Sequence, residues 1–133
     1  MAAFTAYLED MICDWLKGVA ADAAPASLLL ALSTADPLDD GSGLAEPVGF
    51  NYSRQAIAFG AHVAANGVGS QMSNTGNILY TASGGAWGII AFWAIYDNTG
   101  TNMLLHGSFA TSKNIQDGDS FVVNIGSMAL TIR

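Results

Sequence analysis

Charged residues are scarce in this chain of 133 residues, where they make up only 11% of the sequence. An average soluble domain carries about 25%. Four basic residues stand against eleven acidic ones, which gives a formal net charge of −7 at pH 7. Because such a chain repels phosphate groups, the composition argues against a nucleic-acid binder and against a protein held on membranes by basic patches.

Cysteine and long apolar runs are also scarce. Cys13 is the only cysteine, which excludes an internal disulfide and a cysteine-based metal cluster and fits assembly in a reducing compartment. The longest apolar run covers residues 89–96, whereas a membrane-spanning helix needs about 20 residues. Yet 51% of the residues are hydrophobic, so we expect an ordered chain whose apolar excess lies in a core or in subunit interfaces.

Residues 4–19 carry the periodicity of an amphipathic helix. Thr5 stands where a helix cap is expected, Gly18 stands near the expected end, and acidic side chains occupy the opposite side of the pattern. We predict an N-terminal helical segment, residues 1–20, that packs against a sheet or a neighbouring subunit. Its apolar positions recur at intervals of three and four residues: Phe4, Leu8, Met11, Ile12, Trp15, Leu16 and Val19.

Residues 27–133 alternate between strand-like and turn-like stretches. The stretch 87–96 is apolar on both faces, which is typical of a central strand that is covered on both sides. The sequence predicts one domain over residues 1–133, mainly β: an antiparallel β-sandwich or jelly-roll-like domain (27–133) with one N-terminal α-helix. The predicted strands are 28–33, 52–59, 71–82, 87–96, 103–110 and a last strand or strand pair at 121–133.

The sequence contains no recognisable catalytic or cofactor-binding motif. Phosphate-binding loops, dinucleotide-binding glycine patterns, zinc-protease helices and serine-hydrolase elbows are absent, so we expect neither an enzyme nor a bound cofactor or metal. One acidic cluster, Asp36, Asp39 and Asp40, allows two interpretations. Either it binds a hard cation such as calcium, or its carboxylates close local turns, which is the more common role.

Arg54 and the three tryptophans also allow two interpretations each. Arg54 either forms an ion pair that fixes the register between strands or subunits, or lies over apolar surface with its head group in water. Trp15, Trp87 and Trp93 either form a platform for carbohydrate stacking or serve in packing, which their apolar surroundings favour. Trp87, beside a glycine-rich turn, is the strongest candidate for an exposed role.

Five segments carry a resemblance that covers nearly the whole chain. They read SLLLALSTADP at 27–37, GFNYSRQAIAFGA at 49–61, WGIIAFWAIYD at 87–97, TGTNMLLHG at 99–107 and KNIQDG at 113–118. In this order they resemble a family of small tailed-phage virion proteins. Asn51 departs from the family pattern, which often has glycine at this position.

The resemblance implies a structural role in the virion. We expect a capsid decoration or cement protein that binds the outer surface of the head lattice and stabilises it. The alternative is a tail-fibre or tail-associated receptor-binding module. The expected partners are the major capsid protein, or tail proteins, and further copies of this chain, with a trimer favoured. Assembly is expected in the host cytoplasm and residence on the capsid surface, with neither nucleic acid nor membrane as a partner.

The expected contacts with partners come from the helical stripe, the two-faced strand and the lone mid-chain arginine. Apolar surface without charge suits contacts between subunits, and an ion pair would fix their register. These expected interface residues are Phe4, Leu8, Ile12, Trp15, Arg54, Ile90, Phe92 and Trp93.

Overall fold

Antiparallel strands dominate the fold, and one helix precedes most of them. A computed structural model describes residues 2–67 and 69–133; Met1 of the predicted N-terminal segment and Val68 of a predicted loop lie outside the described residues. The elements in chain order are β1 (Ala2–Phe4), α1 (Ala6–Leu16), β2 (Leu28–Ser33), β3 (Gln55–Ile57), β4 (Val63–Ala64), β5 (Ser70–Ser73), β6 (Ile78–Thr81), β7 (Gly88–Asp97), β8 (Met103–Ile115), β9 (Ser120–Val123) and β10 (Ala129–Ile132).

The strands form three antiparallel sheets. The largest has the order β1-β8-β7-β2-β3, the second β10-β5-β4, and the third pairs β6 with β9. One cluster of buried side chains draws on strands from all three sheets, among them Leu30, Tyr80, Trp93, Phe121 and Leu130. The prediction of a mainly β, antiparallel and sandwich-like domain with one helix is confirmed.

Strand β7 lies at the centre of the large sheet, between β2 and β8, as its apolar pattern predicted. On one face, Ile90 and Trp93 belong to the core shared with the smaller sheets. On the other face, Ala94 and Tyr96 pack with Leu44, which belongs to the loop that follows β2. The second face is therefore covered by the chain's own loop.

Two predicted strands are shorter in the structure than their patterns suggested. The stretch 52–59 is a regular strand only over β3, and the stretch 71–82 divides into β5 and β6. The division falls at buried Asn74, whose side-chain amide donates to the carbonyl oxygens of Gly76 and Asn124, both at 2.9 Å. Its Oδ1 accepts from the backbone nitrogen of Met128. The bond to Gly76 is local, whereas the bonds to Asn124 and Met128 reach the segment between β9 and β10; together they take the side chain of Asn74 out of the regular sheet pattern where β5 ends.

One strand is longer than predicted, and the strands at the C-terminal side match the prediction. Strand β8 continues to Ile115, beyond the predicted end at residue 110. Its pairing with β7 shifts between Ser108 and Lys113, so that four residues of β8 stand opposite Ala91 alone. This is a large β-bulge. At the C-terminal side, the predicted strand pair is confirmed as β9 and β10.

Both ends of α1 follow the signals in the sequence, although the helix is shorter than residues 4–19. The side chain of Thr5 caps it by accepting from the backbone nitrogen of Leu8 at 3.3 Å. Phe4 belongs to β1 and pairs with Leu105 of β8. Past the C-terminal end, Gly18 adopts a positive φ of 77°, and the backbone nitrogen of Val19 donates to the carbonyl of Asp14.

Across the described ranges, no helix is both long and apolar enough to cross a membrane.

Candidate interaction surfaces

The most exposed apolar surface of α1 is a stripe of four side chains, Ile12, Trp15, Leu16 and Val19, called here the outer stripe. Trp15 and Leu16 are 70% and 72% exposed, and no residue of α1 is buried. The first three lie on the helix, and Val19 follows its cap. Because neighbouring apolar side chains this exposed are typical of interaction sites, the outer stripe is a candidate contact surface.

The attachment of α1 to the sheet and to the loop after β2 explains why the outer stripe lies on the exposed flank of the helix. The backbone nitrogen of Thr5 donates to the carbonyl of Leu104, and that of Ala6 donates to the carbonyl of Asp39. The side chain of Thr5 also donates to the carbonyl of Met103. The half-buried side of the helix carries Tyr7, Leu8, Met11 and Asp14. At 3.6 residues per turn, the outer stripe lies about a quarter of a turn from that side.

Apart from Arg54, the structure separates the expected interface residues into two groups, one at the N-terminal segment and one on β7. Ile12 and Trp15 lie on the outer stripe, and Leu8 is half-buried beside it. Phe4, expected on the helix, is half-buried in β1.

The other group belongs to β7. Ile90 and Trp93 are buried in the chain's own core, with exposures of 0% and 5%. They are therefore not on the surface where contacts with a partner were expected. Phe92, the third β7 residue in the set, is half-buried. Ile90 and Trp93 are buried because the smaller sheets of the same chain cover the face of β7 on which they lie.

Arg54 forms an ion pair within the chain. Its guanidinium donates to both carboxylate oxygens of Glu46, with the shortest contact at 2.7 Å, and its Nη1 donates to the carbonyl of Gly100 at 2.9 Å. The guanidinium carbon also lies 3.8 Å from the ring centroid of Tyr96 on β7. Arg54 thus joins the loop after β2 to the turn after β7 and covers the second face of the large sheet.

Glu46 also orders the neighbouring tyrosine. The hydroxyl of Tyr52 donates to Oε1 of Glu46 at 2.6 Å, and the backbone nitrogen of Leu32 donates to that hydroxyl. Burial, followed by the bond to the carboxylate, raises the pKa of Tyr52 well above its ordinary value. The hydrogen bond to Glu46 raises the pKa of Arg54. Tyr52 therefore stays neutral and Arg54 stays protonated across the physiological range.

The acidic loop residues close turns and bind a histidine. Oδ1 of Asp36 accepts from the backbone nitrogen of Leu38, and Oδ1 of Asp40 accepts likewise from Ser42. Asp39 bonds Nε2 of His106 at 2.9 Å. Among the described residues, no group of three or more His, Cys, Asp or Glu side chains is arranged to hold a metal ion. The turn-closing interpretation therefore accounts for Asp36 and Asp40.

The three tryptophans take different roles. Trp93 and Trp87 are both buried, and the indole nitrogen of Trp87 donates to the carbonyl of Phe50 at 3.0 Å. They therefore serve in packing, and the exposed role considered for Trp87 is wrong. Trp15 is the exposed one.

Sequence reasoning missed a second apolar surface, on the outer face of the β6–β9 pair. Leu79 and Val122 stand directly opposite each other in that pair and are 57% and 46% exposed. We call them the Leu79–Val122 patch. The signal was the alternation of outward and inward side chains in these two short strands.

Comparison with known proteins identifies the family. The family model described as "Podophage GP4 fiber I protein gp80" matches residues 3–131 of the chain. No curated protein matches it. The description names a fibre protein, so it agrees with the tail-fibre alternative better than with the capsid-decoration expectation. Matched over nearly its whole length, the chain belongs to the Podophage GP4 fiber I protein gp80 family of phage virion structural proteins.

Proposed function

We propose that this chain is a structural subunit of a phage tail fibre or of the tail region that carries one. The observation that carries the proposal is the family match across residues 3–131, a family described as a fibre protein. The proposed site of residence is the virion, and the proposed role is mechanical and connective rather than catalytic.

The surface of the domain supports this role. The outer stripe and the Leu79–Val122 patch are two separate apolar surfaces, and the chain carries few charges that would have to be desolvated on contact. A subunit that joins two neighbours needs at least two such surfaces. Its partners are proposed to be tail proteins and further copies of the same chain.

A homotrimer is the assembly proposed for these copies. The Leu79–Val122 patch is the surface proposed for contacts between them: placed on the threefold axis, it would meet the same patch of the other two copies. The acidic net charge of −7 would keep separate copies soluble before assembly.

The experiment that tests the proposal measures how many copies of the chain a purified particle contains, and where they lie. Quantitative mass spectrometry against the major capsid protein gives the copy number, and antibody labelling in electron micrographs gives the location. We expect a small number of copies, a multiple of three, with label at the tail.

Hundreds of copies in fixed ratio to the major capsid protein, with label over the head, would overturn the proposal. That outcome would instead support a capsid decoration protein. Absence of the chain from purified particles would contradict both roles.

A further inference from the structure

We propose that the outer stripe of α1 docks into an apolar groove of a different virion protein, and that lysine or arginine side chains line the rim of that groove. The inference rests on the proposed function for the statement that the partner is in the virion. It goes further by naming the surface of this chain that attaches it and the chemistry of the surface that receives it.

The spacing of the outer stripe fits a groove. Its residues stand at positions i, i+3, i+4 and i+7, which is the set of anchors by which a single helix binds in an apolar groove. Trp15 lies in the middle of the set, and central aromatic side chains contribute most to such contacts. The sheet holds the N-terminal end of the helix through Thr5, and the loop after β2 holds it through Ala6, so the stripe is presented in a fixed orientation.

The charges around the stripe call for a basic partner. Glu9 is exposed and lies one turn before Ile12 and two turns before Leu16, so it borders the stripe. Asp10 and Asp14 lie on the remaining faces of the same helix. The only basic residue on this segment, Lys17, is already paired with Asp14 at 2.7 Å. Cations on the rim of a groove would complement this acidic helix.

A second copy of the chain is a poor source of those cations. Of the four basic residues, Lys17 is paired with Asp14 and Arg54 with Glu46, and Lys113 donates to the carbonyl of Ser120 at 2.6 Å. A second copy could therefore offer little more than Arg133, a single cation, to the rim of a groove. The chemistry therefore favours a protein other than this chain.

The size of the helix points in the same direction. With eleven residues, α1 is about 16 Å long and about 10 Å wide, so one flat face covers roughly 160 Å². A standard stable interface buries about 800 Å² on each partner. Helices of two copies lying side by side fall far short of that area, whereas a groove surrounds the helix and buries its flanks as well.

The first experiment measures retention of the chain in phage particles. Phage encoding Trp15→Asp or Leu16→Asp are purified, and the amount of the chain per particle is determined by quantitative mass spectrometry. We expect at least about a tenfold loss for each variant, as for the truncation of a central anchor. Val63→Asp, a similarly exposed apolar position on β4 and outside both apolar surfaces, is the matched control and should lose less. The purified variants should show an unchanged melting temperature, because Trp15 and Leu16 make no buried contact.

The second experiment identifies the occupant. Cys13 is exposed, is the only cysteine and adjoins Ile12, so it accepts one thiol-reactive benzophenone group. The labelled chain is mixed with particles that lack it and is irradiated, and the cross-linked peptide is sequenced. We expect a peptide of another virion protein that contains lysine or arginine. Glu9→Gln should lower the yield of the cross-link at least about threefold, whereas Asp10→Asn, which removes the same charge away from the stripe, should change it less.

Three outcomes would overturn the inference. Particles that keep full amounts of the Trp15→Asp and Leu16→Asp chains would show that the stripe does not attach the chain. A cross-link to a second copy, or a change in the oligomeric mass of the purified chain on Trp15→Asp, would show that the occupant is the chain itself. A cross-linked groove without basic residues would refute the charge argument. Each differs from failure of the proposed function, in which the wild-type chain is absent from the tail.

Discussion

Strand β7 and helix α1 are the two most strongly patterned apolar segments of the chain, and they end in opposite environments. In β7, the chain's own sheets and loop bury Ile90, Trp93 and Tyr96. In α1, Trp15 and Leu16 remain in solvent. Each segment carries a tryptophan in an apolar pattern, yet one side chain is 5% exposed and the other 70%.

The difference shows what a hydrophobic pattern does and does not specify. A pattern indicates which face of an element is removed from water, because the gain in free energy depends on the apolar area buried. It does not indicate which surface covers that face. For β7 the cover is intramolecular; for α1 we propose that it is another protein.

The largest expected effect separates the two tryptophans. Trp93→Ala should lower the free energy of unfolding by about 3–5 kcal/mol, because it leaves a cavity in the core. Trp15→Ala should change it by less than about 0.5 kcal/mol, because its side chain is already in water. Denaturant titrations followed by circular dichroism measure both values. Equal losses would break the comparison, since they would mean that the outer stripe packs within the chain.

A second prediction compares an ion pair over β7 with one on α1. Arg54→Ala should cost about 1.5–3 kcal/mol of unfolding free energy, because it leaves the carboxylate of Glu46 without its charged donor and uncovers Tyr96. Lys17→Ala removes a pair of equal length, but one that is largely exposed, and should cost less than about 0.5 kcal/mol.

Arg54→Lys sharpens this test. It keeps the charge but loses the two-pronged contact with Glu46, so its stability should lie between those of the wild type and Arg54→Ala. An Arg54→Ala variant as stable as Lys17→Ala would show that the second face of the sheet does not depend on this cluster.

The smallest effect concerns the turn that follows β7. The hydroxyl of Thr99 and then the amide of Asn102 hydrogen-bond the carboxylate of Asp97 and lower its pKa below the ordinary value of 3.8. A folded-state pKa below the unfolded one gives stability that is present above the unfolded value. That stability is lost as the pH falls through the folded value.

Melting temperatures measured from about pH 6 down to about pH 2 check this sign. The wild type should lose more stability than Asp97→Asn over the acidic part of the range, and the two curves should approach each other at the lowest pH. Parallel curves would contradict the assignment.

Much of the fold could be predicted because its signals are local. Thr5 and Gly18 mark the two ends of α1 through bonds to residues within one turn. Asn51 adopts a positive φ of 66°, which asparagine tolerates better than most residues. This conformation explains how it stands where the resembling phage proteins often have glycine.

The rest depended on residues far apart in the chain. Asn74 ends β5 through bonds to Asn124 and Met128, about fifty positions away, and no local pattern indicates them. The partner of Arg54 was hidden for a different reason: Glu46 is only eight positions away, but it lies in an irregular loop whose course no sequence pattern indicates.

The sequence by itself determined the β-rich class, the central strand, the amphipathic helix and the family, because periodicity and ordered segments are properties of the chain alone. Only the tertiary structure decided which apolar faces cover one another. The burial of Ile90 and Trp93, and the exposure of Trp15 and Leu16, depend on how the sheets pack and how Thr5 holds the helix. Hydrophobic attraction is non-directional, so the pairing of surfaces is set by their arrangement in space.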